Sequence, residues 1–334
     1  MIFTKEHVNG IFESFRQKKV LVIGDLMIDS YHWGDVSRIS PEAPVPIVHL
    51  KTIENRLGGA ANVGLNLQSL GAEPVMCGLV GNDQNGKDLN AIMTKAQLKT
   101  DGLVICNERP TTVKTRTISN NHQLLRVDRE DASATKKSEE LLIITKLNEL
   151  FNAHDFDVVI FEDYDKGALN QAIIRHVVQI CKAKNIPCTV DPKKRNFNAY
   201  NGVTLFKPNL KEMIEGTGQK VDPSSISSIQ DGIVYLKERV NHDITLLTLS
   251  EYGMYIQDNN QCTHAKAHLR QIADVSGAGD SVIATASLCL ASSLPLEETL
   301  HLANLAGGLV CEYAGVVPIH AKQLKKEALL LTNQ

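Results

Sequence analysis

The chain has 334 residues, 43% of them hydrophobic and 22% charged, with a formal net charge of −3 and a pI near 6.4. That balance gives no basic footprint for nucleic acid or for a membrane surface, and no stretch approaches the run of about 18 apolar residues that a membrane span needs. The seven cysteines are scattered and lack CxxC spacing, the usage of reduced thiols in a cytoplasmic protein.

In chain order, the charged N-terminus predicts a short amphipathic helix rather than a secretory leader. Val20–Ile23 follows as a strand. Residues Tyr31–Arg56 contain Pro41, Pro44 and Pro46, which remove backbone donors and favour extended chain or an edge strand. A helix over Ala60–Leu70 places Val63, Leu67 and Leu70 on one face. A strand at Val75–Val80 and a helix at Gly86–Lys95 come next. Residues Ile105–Asp128 read as two strands joined at Ser119–Asn120–Asn121.

Helices over Lys136–Phe151, Gln171–Asn185 and Ser281–Ser292 then alternate with strands at Val158–Phe161, Cys188–Val190 and Ile244–Leu249, and Leu324–Leu331 reads as a final packing helix. Alternation of this kind predicts a mainly parallel sheet flanked by helices. The segments near 31–56 and 105–128 break it, and they predict either a small β-layer acting as a lid or a plain extension of the sheet. No repeat or linker divides the chain, so residues 1–334 are expected to form one domain.

The densest chemistry lies in Asp274-Val-Ser-Gly277-Ala278-Gly279-Asp280, which runs directly into an Ala-rich apolar helix. Glycines before a helix start bring unpaired N–H groups and the positive end of the dipole to one place, an anion site. Asp280, in the first turn, can accept a proton from an attacking hydroxyl. Its alternative role is that of an ordinary helix cap.

Two decoys accompany this motif. Gly81–Asp88 nearly spells a phosphate-binding P-loop, but Asp88 stands where a hydroxyl is needed, so a polar turn is expected. His264 and His268 share an i, i+4 spacing without an evident third ligand.

The Asp274–Asp280 segment resembles the second signature of the ribokinase/PfkB carbohydrate kinases, with Val275 and Ser276 where threonines are common. Leu57-Gly58-Gly59-Ala-Ala-Asn62 is similar to the family's first signature, and Lys207-Pro-Asn209-Leu-Lys-Glu212 to its N-x-x-E element. The resemblance covers nearly the whole chain and implies a ribokinase-like α/β fold with a β-sheet lid and an ATP-dependent sugar kinase using Mg²⁺.

Carried over, the Gly277, Ala278 and Gly279 amides form the anion hole and Asp280 is the base. Asp29, Gly58, Gly59 and Asn62 hold the sugar, with Asp25 a further carboxylate at the same edge. Asn209 and Glu212 act near the phosphates, Glu212 on Mg²⁺ through water. Ser250, Gly253 and Asn304 contact the nucleotide. The resemblance also implies a homodimer through the lids and a monovalent cation, K⁺, near Asp274.

Within the family, Ser37–Pro46 (SRISPEAPVP), Asn121–Asp128, Glu162-Asp163-Tyr164-Asp165-Lys166-Gly167 and Asp191-Pro-Lys193 resemble the bacterial D-glycero-β-D-manno-heptose 7-phosphate kinases. These phosphorylate the anomeric hydroxyl on the route to ADP-heptose and the lipopolysaccharide core. On that reading Asp163 binds sugar hydroxyls, while Lys166, Arg126 and Lys193 are candidates for the distal phosphate. Many such proteins continue into a nucleotidyltransferase domain with H-x-G-H. That motif does not occur in this sequence, so the kinase step alone is expected. The alternatives are a kinase of the same fold for another sugar, sugar phosphate or nucleoside, and a non-catalytic sugar or nucleotide sensor.

Overall fold

The computed structural model describes residues 4–120, 122–268 and 270–331. Asn121, expected at the turn before the 122–129 strand, lies outside the described residues. In chain order the strands are β1 Lys19–Gly24, β2 Leu26–Ile39, β3 Pro46–Gly59, β4 Glu73–Gly81, β5 Leu103–Cys106, β6 Thr112–Ser119, β7 His122–Arg129, β8 Val158–Glu162, β9 Cys188–Asp191, β10 Val203–Phe206, β11 His242–Thr248, β12 Met254–Gln257 and β13 Cys262–Ala265. The helices are α1 Lys5–Phe15, α2 Ala60–Ser69, α3 Gln84–Lys95, α4 Lys137–Ala153, α5 Gln171–Lys184, α6 Leu210–Thr217, α7 Ile226–Arg239, α8 Ala278–Ala291, α9 Leu296–Val310 and α10 Ala321–Leu330.

Nine strands form the main sheet in the order β13-β12-β11-β10-β9-β8-β1-β4-β5. It is parallel from β5 to β11, with β12 and β13 added antiparallel at one edge. The core strands are apolar on both sides because helices cover both faces. Val20, Val22, Val158 and Ile160 point into a cluster with α1, α2, α8, α9 and α10. Leu21, Ile23, Val159 and Phe161 point the other way, against α4 and α5. Each fully buried Leu, Ile, Val or Phe side chain contributes about 1.5–3 kcal/mol. This alternation along β8 continues into the residues that follow, where it turns Glu162 and Asp163 to opposite faces.

The second sheet, β3-β2-β6-β7, is the layer foreseen from the two irregular segments. β2 pairs antiparallel with β3 and parallel with β6, and β6 antiparallel with β7. The proline-bearing segment enters at an edge, with Pro46 opening β3. The layer is longer than the sequence suggested, since β2 begins at Leu26 and β3 runs to Gly59. Leu103–Cys106 instead joins the main sheet beside β4, because its residues continue the parallel ladder there. The near-P-loop at Gly81–Asp88 is a capped turn: Asp83 Oδ1 accepts from Gly86 N at 2.9 Å and from Thr111 Oγ1 at 2.7 Å.

Arg109 ties the lid's root to the body. It is buried, donates to Glu139 through Nη2 at 3.1 Å and Nε at 3.2 Å, and gives Nη1 to the carbonyls of Asp131 and Lys166. Removing one partner of a buried pair strands the other charge. Arg109→Ala is therefore expected to lower the unfolding free energy by about 3–5 kcal/mol, read from the shift of the urea unfolding midpoint.

Candidate active site

All parallel strands of the main sheet deliver their carboxyl ends to one edge, where α/β folds bind ligands. Helix α8 begins there. Its N-cap, Gly277, adopts φ 81°, a left-handed conformation costly for other residues, and an added Cβ would approach Asn62 Nδ2 at 3.0 Å. Ala278 N donates to the Val275 carbonyl at 3.3 Å, closing the turn. The opening N–H groups of any helix lack intrahelical acceptors, so Gly277 and Gly279 sit where an anion would be received. A Cβ on Gly279 would meet Asp191 Oδ2 at 3.2 Å and Lys207 Nζ at 3.6 Å. The anion position thus adjoins a buried lysine.

Asp280 is buried in the first turn of α8. Its Oδ2 accepts from Asn62 Nδ2 at 2.6 Å and its Oδ1 from the Tyr164 hydroxyl at 2.9 Å. Burial pushes its pKa up to about 6, opposed by these two hydrogen bonds. The carboxyl can therefore be ionised near neutrality and still take a proton readily. Asn62, carried on α2 just after the Gly58–Gly59 turn, leaves its Oδ1 buried with no partner. An orphaned acceptor beside the base fits a hydroxyl donor supplied by substrate.

Towards the lid, Asp29 on β2 is paired with Arg116 of β6. Gly58 is in contact with it: any Cβ there would fall 2.1 Å from Asp29 Oδ2. Gly59 follows in the same turn and begins α2. Lys114 of β6 bridges Asp128 and Glu130 at 3.2 and 3.3 Å. Lys166 Nζ reaches Glu130 at 2.7 Å, which sets it at the junction of lid and body. Arg126 lies on the outer strand β7, half exposed, with Nε on Asp128 at 2.9 Å.

On the other side of Asp280, Asn209 and Glu212 make a reciprocal cap of α6. Asn209 Oδ1 accepts from Glu212 N, and Glu212 Oε2 accepts from Asn209 N, both at 2.8 Å. The N-x-x-E element is therefore a capping box that still leaves Glu212 Oε1 facing Lys193 Nζ at 2.5 Å. Lys207 pairs with Asp191 at 2.7 Å, both buried. Burial works to raise the Asp191 pKa, but Lys193 and Lys207 outweigh it and hold it low. Lys193 is raised despite burial, because Asp191 and Glu212 flank it.

Further along the same edge, Ser250 has φ 53° and Gly253 φ 88° in the turn after β11. Asn304 of α9 donates from Nδ2 to the Lys266 carbonyl at 2.8 Å. Asp274 Oδ1 accepts from the Ser276 N–H and hydroxyl, and Oδ2 from Gly315 N at 3.0 Å. Although burial opposes it, those bonds hold the Asp274 carboxyl below its usual range.

Three of the expected residues meet protein partners. Asp163, foreseen at the sugar, points to the opposite face of the sheet from Glu162. There its oxygens accept from Tyr200 OH at 2.6 Å, Asn196 Nδ2 at 3.0 Å and Asp165 N at 2.9 Å. These bonds tie the end of β8 to the 196–200 segment, and burial raises the Asp163 pKa to about 6. Asp25 is likewise inward, accepting from the N–H groups of Tyr164, Lys166 and Ala168 and so fixing the 164–168 loop. Lys193, foreseen at the distal phosphate of the sugar, stands with Asp191 and Glu212 on the anion side of Asp280.

Several contributors were not singled out from sequence. Tyr164 was seen only as part of a motif. Lys207 was visible as a lysine directly after a buried strand, next to Asn209. Lys114 and Arg116 alternate on β6 with the period that places both on one face, in register with Asp29 and Tyr31 of β2. Glu162 is fully buried, and its pKa stands well above the usual carboxylate range through burial and the nearby Asp191.

A buried carboxylate at a glycine-rich helix start, between a polar lid and the buried Lys207 with the half-buried Lys193, fits a phosphotransferase with an alcohol acceptor on a ribokinase-like fold. The chain belongs to the pfkB family of carbohydrate kinases, whose pattern (pfkB family carbohydrate kinase) matches residues 17–322, and it is an ATP-dependent sugar kinase. It is 42% identical over 313 residues to the bifunctional protein HldE of Caulobacter vibrioides, covering 93% of this chain and 63% of that one. Against the bifunctional protein HldE of Campylobacter jejuni it is 40% identical over 316 residues, covering 94% and 65%.

The chain thus spans just under two thirds of the length of these curated relatives. Among solved structures, phosphofructokinase-2 from Escherichia coli in complex with potassium matches with a TM-score of 0.79 at 16% identity, covering 95% of this chain and 99% of that one. Arabidopsis thaliana ribokinase complexed with ribose and ATP matches at 0.72 and 18%, covering 92% and 99%. At these identities the likeness concerns the fold.

The Tyr164 hydroxyl stabilises the ionised form of Asp280, so its loss should raise the carboxyl pKa further. In Tyr164→Phe the acid limb of the kcat–pH profile, expected near pH 6 in the wild type, should move up by about one unit, with kcat at pH 8 changed less than kcat at pH 6. A profile that stays in place would separate Tyr164 from the base.

Proposed function

We propose that this kinase phosphorylates the anomeric C1 hydroxyl of D-glycero-β-D-manno-heptose 7-phosphate to the 1,7-bisphosphate, in ADP-heptose and lipopolysaccharide core biosynthesis. The observation that carries this reading is the division of charge about Asp280. On one side the α8 amides adjoin Lys207 and Lys193, suited to the polyphosphate of ATP. On the other, Arg116 pairs with Asp29 while Lys114 and Lys166 share Glu130 at the root of the lid, suited to a sugar that carries its own phosphate. The relatives called bifunctional protein HldE support the same choice through their identity over most of this chain.

In this reading Asn62 Oδ1 and Asp29 accept sugar hydroxyls, with the Gly58–Gly59 turn allowing close approach. Asp280 takes the proton of the C1 hydroxyl at its carboxylate as that oxygen attacks the γ-phosphate in line. The Gly277 and Gly279 amides, with Lys207, stabilise charge spreading over the transferred group. The lid sheet excludes water from the transfer.

Mg²⁺ would be held by Glu212 and Asp191 through its water shell, and the acidic set beside two lysines fits that ion. When bound it neutralises charge on the β- and γ-phosphates. Among the described residues no three His, Cys, Asp or Glu side chains cluster as a metal cage.

The rest of the proposal is a homodimer joined through the lids, K⁺ near the ionised Asp274, and a cytoplasmic enzyme whose described residues act as one kinase domain. Ile39, Val45, Leu50, Ile53, Leu125 and Val127 leave exposed apolar area on the lid for a second copy. No described helix is long and apolar enough to cross a membrane, and all seven cysteines are free thiols.

ADP release with ATP and Mg²⁺, measured across heptose 7-phosphate, fructose 6-phosphate, ribose and adenosine with product mass recorded, tests the substrate. Conversion of the heptose phosphate alone to a bisphosphate is expected, and preference for another acceptor would overturn the assignment. Asp280→Asn should bind both substrates and lose about 10²–10⁴ in kcat. Lys166→Met should raise KM for the phosphorylated sugar by about tenfold or more while leaving KM for ATP unchanged.

A further inference from the structure

Every buried carboxylate at the ligand edge of the main sheet has a visible occupation except one. Asp25 receives three backbone amides, Asp163 three donors, Asp191 two lysines, and Asp280 a tyrosine and an asparagine. Glu162 receives none. It is completely buried, and both its oxygens lack a hydrogen-bond partner. Leaving a buried carboxyl unpaired is costly, and a group with no structural bond to make points to a partner that arrives with the ligand.

Its position narrows the choice of partner. Glu162 ends β8, in register with Gly24 of β1 and Asp191 of β9. By strand alternation it shares the face of Val158 and Ile160, the face covered by α8. The charges acting on it are those of Asp191, Asp280, Lys193 and Lys207, the groups that surround the anion position. Lys193 and Lys207 are already held by Asp191 and Glu212, so neither lysine is left to pair with Glu162. A sugar hydroxyl would satisfy only one of its two oxygens, whereas the water shell of a cation held at the adjacent Asp191 offers donors to both.

We propose that Glu162 is a further carboxylate of the divalent-cation site, facing the ion that accompanies the nucleotide through that ion's water shell. The role rests on the metal–nucleotide reading given above and adds to Glu212 a ligand-side residue from a different strand. It also accounts for the isolation of Glu162 in the ligand-free chamber: its partners are water molecules of the ion's shell, which enter with the nucleotide. Magnesium gives up its bound water reluctantly, so contact through one water is the expected mode.

Mn²⁺ serves as the probe. Binding of Mn²⁺ is followed by electron paramagnetic resonance at saturating ADP, for the wild type and for Glu162→Gln, which keeps the side-chain volume. The variant should lose about tenfold in Mn²⁺ affinity while its affinity for ADP in EDTA changes by less than about twofold. Unchanged Mn²⁺ affinity, or equal weakening of metal-free ADP, would overturn the proposal.

A crystal of the wild type with Mn²⁺ and ADP gives a test independent of how the variant folds. The anomalous peak is expected about 4–5 Å from the Glu162 carboxylate, one water away, and a peak beyond about 8 Å rejects the role. Wild-type protein that binds ADP without taking up Mn²⁺ would overturn the metal–nucleotide reading itself, whatever the variant does.

Discussion

The chamber is organised around the cost of burying Asp280. A carboxylate removed from water must be compensated, and here compensation comes from two neutral donors drawn from distant parts of the chain. Asn62 belongs to the turn that opens α2, and Tyr164 to the loop after β8. The N-terminus of α8, the sugar-side turn and the 164–168 loop must therefore be in place together for the carboxylate to be tolerated. Asp25 enforces the last of these by collecting three amides of that loop, and Arg109 presses on it from the lid's root through the Lys166 carbonyl. A fold that is mostly hydrophobic layering thus becomes specific at its ligand edge through a few buried polar contacts.

The parity of β8 decides which acids are available for chemistry. Val158 and Ile160 face α8, while Val159 and Phe161 face α4 and α5. The next two residues continue the alternation, so Glu162 falls beneath α8 and Asp163 falls towards Tyr200 and Asn196. Two adjacent carboxyls in one motif thereby receive opposite assignments from backbone geometry alone. The same rule on β6 turns Lys114 and Arg116 to one face.

Much of this was legible before any coordinates. The alternation of apolar runs and helical periods encodes the parallel sheet, and glycine-rich turns single out Asn62 and Asp280, which meet in the structure. Proline in 41–46 correctly signalled an edge. What could not be read was direction and partner. Asp163 looked like a ligand because a strand end is the right place for one, yet a carboxylate's use depends on which donors the fold supplies, and Tyr200 and Asn196 lie 37 and 33 residues away. Lys193 could not be placed beside Glu212 for a similar reason: that partner comes from α6, beyond another strand. Residues whose roles follow from local backbone shape are recoverable from sequence, whereas those defined by long-range pairing need the packed structure.

The separation of charge on either side of Asp280 has a chemical consequence. Lysines and arginines are confined to the two flanks, each held by carboxylates: Lys193 and Lys207 with Asp191 and Glu212, and Lys114, Arg116 and Lys166 with Asp29, Asp128 and Glu130. The base itself is bonded only by uncharged groups. A lysine in direct contact would stabilise its anion and drag its pKa down, making it a poor acceptor for a hydroxyl proton. Burial without such a partner instead lifts the carboxyl to about 6, with Lys207 only a minor opposing influence. Asp280 therefore keeps a raised pKa although cations line both flanks, because those cations are fixed by their own carboxylates.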